Sequence, residues 1–147
     1  MDFLTRFGQY AKAFEEVFMH DDWTHLEPFF TEDAVYEIPG GPPFGGLHEG
    51  RSAIFAALKT SVDTFDRRFS ARELEILEGP ELVDGEVRLR WRVTYRLDGA
   101  PEVVLTGEEC CRFEGDRICH LTDNFDEDGV AATLAWMDEH GTKLGMT

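Results

Sequence analysis

Glu109 and Asp123 are acidic residues set among apolar ones on two successive strand-like segments, and Tyr36 shares their parity on an earlier segment. Two carboxyls brought together away from water cannot both ionise cheaply, so one pKa rises. The pair then divides into an acid and a base near neutral pH, which is what proton transfer to and from an organic substrate needs. A tyrosine hydroxyl beside them could hydrogen-bond a developing oxyanion. The competing reading sets Glu109 and Asp123 at a rim, solvated or paired with Arg51 or another cation. Tyr36 would then be a wall aromatic with a bound hydroxyl.

Strand alternation decides which side chains can share a cavity with these three. Residues 86–97 alternate between Val87, Leu89, Trp91, Val93, Tyr95 and Arg88, Arg90, Arg92, Thr94, Arg96. The apolar set is expected to face the helices and the arginines to face outward. A three-residue turn at Asp98, Gly99 and Ala100 then sets Arg90 opposite Glu108 and Arg96 opposite Glu102, opposite charges on an outer face. On the return strand Val103, Leu105, Gly107, Glu109, Cys111 and Phe113 point inward, and on the last strand Leu121, Asp123 and Phe125 do. With Ile38 beside Tyr36, and Phe14, Trp23 and Phe55 from helices, the expected pocket lining is Phe14, Trp23, Ile38, Phe55, Trp91, Val93, Tyr95, Leu121 and Phe125.

The remaining elements must position these strands. Residues 4–19 carry apolar side chains at helical spacing. Asp21 or Asp22 can cap a second short helix that turns Trp23, Leu26, Phe29 and Phe30 inward. Residues 34–38 read as a strand and residues 39–46 as a loop. The glycines at 40, 41, 45, 46 and 50 form a mobile pocket lip bearing His48, and no Lys-Ser/Thr follows them as a phosphate loop requires. Residues 51–65 are a third helix with Ile54, Phe55, Leu58 and Val62 in register. Residues 68–77, 86–97, 102–113 and 117–126 are strands of an antiparallel meander, and residues 128–139 are a closing helix that ends near Gly141. Helices segregated to one side of an antiparallel sheet make an α+β fold.

The chain has 147 residues, 42% of them apolar, which suits one domain spanning 1–147 with a real core. Its 14 basic and 30 acidic residues give a net charge of −16, which repels phosphate backbones and anionic lipid. Neither nucleic acid nor a membrane is therefore expected as a partner. Cys110, Cys111 and Cys119 have no framework spacing and read as reduced thiols. No CxxC or His/Cys cluster suggests a metal, and no cofactor is expected. The first residues show no signal-peptide pattern and no apolar run spans a bilayer, so the cytoplasm is the expected location.

Three stretches carry a family likeness: HDDWTHLEPFFTEDAVYEIPG, GLHEGRSAIFAAL and FEGDRICHLTDNFD. In this order and spacing they resemble the NTF2-like superfamily, in its SnoaL-like and ketosteroid-isomerase-like branch, over roughly residues 5–126. The last stretch is similar to that of limonene-type epoxide hydrolases. The resemblance implies a cystatin-like cone: a curved antiparallel sheet around N-terminal helices, with a C-terminal helix. It also implies a homodimer through the sheet's outer face.

Residue by residue, the likeness is partial. Where ketosteroid isomerases carry a first-strand Asp, this chain has Ile38, and where they carry a helix-one Tyr it has Phe14. Glu109 stands in the place of their second Asp. The limonene-type pattern is matched at Tyr36 and Asp123, but its Arg-x-Asp becomes Arg90-x-Arg92 or Arg92-x-Thr94 and would require the arginine face to point inward. Asp123 also fits the acidic last-strand residue of SnoaL-type cyclases. Scytalone-type dehydratases need a histidine pair, and none falls at an inner position.

Three functions follow as expectations. One is an enzyme performing acid/base chemistry on a small apolar organic molecule, as a cyclase, isomerase or hydrolase, through Asp123, Glu109 and Tyr36. The second is a ligand-binding or accessory protein with the same pocket and no chemistry. The third is a subunit that acts by pairing through its Arg/Glu-rich outer face.

Overall fold

The computed structural model describes residues 2–39 and 45–144. Helix α1 (Phe3–His20) opens at Asp2, whose carboxylate accepts hydrogen bonds from the Leu4 and Thr5 amides. It closes at Asp21, which adopts the left-handed conformation at φ 58°. Its buried residues Phe7, Tyr10 and Val17 lie on one stripe. Burying each large apolar side chain of this kind contributes about 1.5–3 kcal/mol as an upper estimate.

The expected second helix is a 3₁₀ segment, Trp23–Phe29, capped by Asp22 rather than Asp21. Pro28 lies inside it, and a 3₁₀ turn tolerates it over so short a run. Strand β1 (Phe30–Ile38) begins four residues earlier than expected, because Phe30 is already fully buried strand. A further strand, β2 (Gly46–Glu49), pairs with β1 and sets His48 opposite Tyr36, so His48 belongs to the sheet and not to a lip. Gly40 and Gly41 of the expected lip lie outside the described residues.

Helix α2 (Arg51–Thr64) follows, then a 3₁₀ turn (Asp66–Arg68). Strand β3 (Ala71–Val83) starts later and runs further than expected, since Arg68 belongs to the turn. Two register shifts let it bend through the Gly79–Pro80 step, which reads as a break in sequence. Strands β4 (Glu86–Arg96), β5 (Val103–Glu114) and β6 (Arg117–Phe125) complete the meander. Helix α3 (Glu127–His140) and a 3₁₀ turn (Gly141–Leu144) end the described chain.

The curved sheet has the order β2-β1-β6-β5-β4-β3. Every pairing is antiparallel except β1 with β6, which is parallel and brings the first strand beside the last. The alternation on β4 is as expected: Val87, Leu89, Trp91, Val93 and Tyr95 are buried. The arginines face outward. Arg92 pairs with Glu75, Arg96 with Glu73 and Glu102, and Arg90 stands opposite Glu108 but bonds Asp126 instead. This outward face removes the inward arginine that the limonene-type comparison needs. Helix α3 packs on β5 beside the β4–β5 turn, where Trp136 donates its indole N–H to the Pro101 carbonyl at 2.7 Å.

Candidate functional site

The core of the site is one row of the sheet. Leu89 on β4 faces Glu109 on β5, which faces Asp123 on β6. The period of two puts all three on the inner side. One row further along, Trp91 faces Gly107, which faces Phe125. Gly107 is required here by close approach: a Cβ would lie 2.6 Å from Trp91 Cζ2 and 2.6 Å from the Asn124 carbonyl oxygen. The indole therefore lies over bare backbone and meets the Phe125 ring edge-on, 5.3 Å between centroids.

Tyr36 reaches this row from β1. It pairs with Leu121 in the parallel register and donates its hydroxyl to Asp123 Oδ2 at 2.7 Å. The Trp91 indole N–H faces the same carboxylate and favours its charged form. Neither Trp91 Nε1 nor Asp123 Oδ1, however, completes a hydrogen bond of ordinary geometry among the described residues. Asp123 Oδ1 is thus held in place without a well-aligned hydrogen bond among the described residues.

Burial pushes the Asp123 carboxyl up to about 6, against the opposing pull of the Tyr36 and Trp91 donors. Burial, and then the Asp123 charge beside it, drives Glu109 well above the ordinary carboxylate range. The two carboxyls titrate as a pair, with Glu109 driven up the more strongly of the two. The hydroxyls of Tyr36 and Tyr10 stay protonated, raised first by burial. Cys111 is fully buried next in line, and burial pushes its thiol up, which makes it inert filler.

Glu109, Asp123, Tyr36, Tyr10 and Trp91 line a cavity of about 220 Å³. Its floor is the sheet, one wall is α1 through Phe7, Tyr10, Ala11 and Phe14, and the other is α2 through Leu58, Ser61 and Val62. A second polar cluster stands at the mouth. Asp66 accepts the Tyr95 hydroxyl at 3.0 Å and lies 3.5 Å from Arg72 Nε, while Arg72 Nη1 lies 3.3 Å from both Glu15 oxygens. Burial raises the Asp66 carboxyl, and Arg72 opposes that rise.

Of the residues expected from sequence, Asp123, Glu109, Tyr36, Phe14, Trp91, Val93, Tyr95, Leu121 and Phe125 all meet in this cavity. Trp23, Ile38 and Phe55 do not line it. Trp23 is wedged between Phe14 and Phe55, each 6.4 Å away, with its indole N–H given to Asp21. Phe55 turns onto Phe30 at 5.5 Å, because α2 presents Leu58, Ser61 and Val62 to the hollow instead. Ile38 shares the parity of Tyr36 but β1 carries it past the cavity's end, opposite Gly46. Tyr36 itself gives its hydroxyl to Asp123, so it is not a free oxyanion donor.

The sequence reading missed Tyr10, Asp66, Arg72 and Glu15. Tyr10 stands four residues before Phe14 on the same helical face, a signal that its spacing did carry. The mouth cluster depends on a turn whose course no periodicity reveals.

A SnoaL-like domain model matches residues 11–121, and the chain belongs to that family. Its solved relatives share the NTF2-like fold at low identity. An NTF2-like protein from Anabaena variabilis is 20% identical, covers 86% of this chain and 91% of its own, and superposes with a TM-score of 0.69. TerC, co-crystallised with polyporic acid, is 15% identical over 88% of this chain and 96% of its own, at a TM-score of 0.65. A protein of ketosteroid-isomerase-like fold from Catenulispora acidiphila, in complex with trimethylamine, is 17% identical over 84% and 90%, at 0.61. Among curated proteins the sequence finds no match. Among the described residues, no helix is long and apolar enough to cross a membrane.

Proposed function

We propose that this chain is an acid/base enzyme for a small, largely apolar organic molecule, with proton transfer of the isomerase or cyclase type carried by its own carboxyls. The observation that supports it is the Glu109–Asp123 row: two facing carboxyls of unequal acidity in an aromatic cavity, one anchored by Tyr36. Asp123 takes a proton from substrate carbon. The Glu109 carboxyl gives its proton to substrate oxygen or to a second carbon, so charge is conserved across the step. Tyr36 is a positioning residue that fixes the Asp123 carboxylate. The Tyr10 hydroxyl, on the opposite wall, is the neutral donor left for a developing oxyanion. The family's fold and its small-molecule complexes support a ligand in this cavity.

The test needs no knowledge of the natural product. A panel of cavity-sized cyclic ketones is incubated with the protein in heavy water, and mass spectrometry follows deuterium entering beside the carbonyl. Catalysed exchange that rises with pH through about 6 and disappears in Asp123→Asn supports the reading. Exchange equal in the two proteins overturns it.

A second reading, a binding or accessory protein, draws on the commitment of the Tyr36 hydroxyl to Asp123 rather than to a ligand. It predicts retained affinity and no exchange. In either case the described sheet fits one domain whose Arg/Glu outer face pairs two copies, which sedimentation tests. Three free cysteines suit a reducing, cytoplasmic setting.

A further inference from the structure

The charge lining the cavity is one-sided. Among the described residues of the lining, four carboxyls, Glu15, Asp66, Glu109 and Asp123, stand against one cation, Arg72. The Arg72 charge is already engaged: Nη1 lies 3.3 Å from both Glu15 oxygens, Nε lies 3.5 Å from Asp66, and the guanidinium lies over the Phe18 ring at 4.9 Å. An anionic ligand at the mouth would have to displace one of those carboxylates and would meet Asp123 further in. Around the inner pair the walls are the rings of Tyr10, Phe14, Tyr36, Trp91 and Phe125. Aromatic faces attract cations, the more so when water is excluded.

We propose that the cavity selects organic monocations, with an amine or quaternary ammonium group set against the Glu109–Asp123 pair and a compact apolar body along the aromatic walls. The inference rests on the reading of this cavity as the ligand site but does not require turnover. Asp123 Oδ1 is buried with only the poorly aligned Trp91 indole N–H beside it, so the negative charge of the lining carboxylate is not neutralised by any cation among the described residues.

A cation also changes the protonation of the pair. With a neutral ligand, the desolvated pair keeps its shared proton. With a positive charge beside it, ionising both carboxyls costs less, so binding releases a proton and weakens as pH falls. The groups facing the pair from the surrounding elements are Tyr10 on α1, Tyr36 on β1 with His48 of β2 behind it, Trp91 on β4 and Cys111 on β5. Glu15, Asp66 and Arg72 stand at the mouth.

Phenyltrimethylammonium and tert-butylbenzene test this directly, since they share a shape and differ by one charge. Titration calorimetry on the full chain at pH 7.5 should give at least about tenfold tighter binding of the cation. Runs in phosphate and in Tris should differ by the enthalpy of the released proton, and the preference should shrink by pH 5. Asp123→Asn should erase the preference while still binding tert-butylbenzene, which also shows that the variant is folded. Equal binding of the two probes overturns the proposal. So does a preference that survives in Asp123→Asn, which assigns it to the surface field of a chain with net charge −16. Failure of both probes to bind overturns it too. Catalysed deuterium exchange by the native protein would leave the acid/base reading standing in each case.

Discussion

The Tyr36 hydroxyl and Asp123 Oδ2 meet at 2.7 Å across the parallel pairing of β1 and β6. The contact favours the charged carboxylate where burial opposes it, so the two effects partly offset each other at one atom. Asp123 is left with an acidity close to neutral and one oxygen oriented.

Tyr36→Phe removes that donor and leaves the burial. The Asp123 carboxyl should then titrate about one unit higher than in the native protein. Carbon-13 NMR of the labelled carboxyls reads it directly, and any exchange activity should shift its pH dependence in the same direction. An unchanged Asp123 titration would show that the hydrogen bond is not formed in solution.

Stability carries the sign of the same shift. The folded pKa of Asp123, about 6, lies above its ordinary 3.8, so between those values the native state binds more protons than the unfolded chain. The contribution is fully present below pH 3.8 and is lost as pH rises through 6, by up to about 3 kcal/mol. Glu109, raised further, extends the loss to higher pH. Asp123→Asn should therefore stabilise the protein at pH 8 relative to the native chain and have little effect at pH 4, as measured by urea denaturation at the two pH values.

Gly107→Ala places a methyl group 2.6 Å from a backbone oxygen and from the Trp91 ring. The backbone cannot yield cheaply, so the cost should be about 1–3 kcal/mol. Displacement of the indole should also change the tryptophan fluorescence and reduce the cavity's affinity for tert-butylbenzene.

At the mouth, Arg72→Met leaves Asp66 buried beside the Tyr95 hydroxyl without its cation. A loss of about 3 kcal/mol is expected, because an unpaired buried carboxylate is costly. Adding Asp66→Asn should restore part of that loss, and the double-mutant cycle measures how much.

Much of this site was legible in sequence, for one physical reason. Strand parity has no tolerance: once Trp91 faces in, Leu89 must too, and the short Asp98–Gly99–Ala100 turn then fixes which partner each residue meets. That is how the outer ladder of Arg96 with Glu102 could be read in advance, whereas parity put Glu109 and Asp123 on one face and their direct pairing depends on a register shift between Arg112 and Phe113. Helical residues were less determinate. Phe14 and Phe55 both fall on apolar faces, yet Phe14 reaches the hollow and Phe55 turns to Phe30, since a helix rotated by a fraction of a turn changes which side chain leads. Asp66 and Arg72 were out of reach because their meeting depends on a tight turn after α2.

The parallel seam between β1 and β6 also bears on how the molecule is made. Tyr36 and Asp123 are 87 positions apart, and β1 has no partner on that side until β6 exists. As the chain leaves the ribosome, its first strand must wait, edge exposed, until nearly all of the described sequence has been synthesised. The Tyr36–Asp123 bond can therefore form only once β6 has joined β1, and a correctly titrating Asp123 doubles as a report that the sheet has closed.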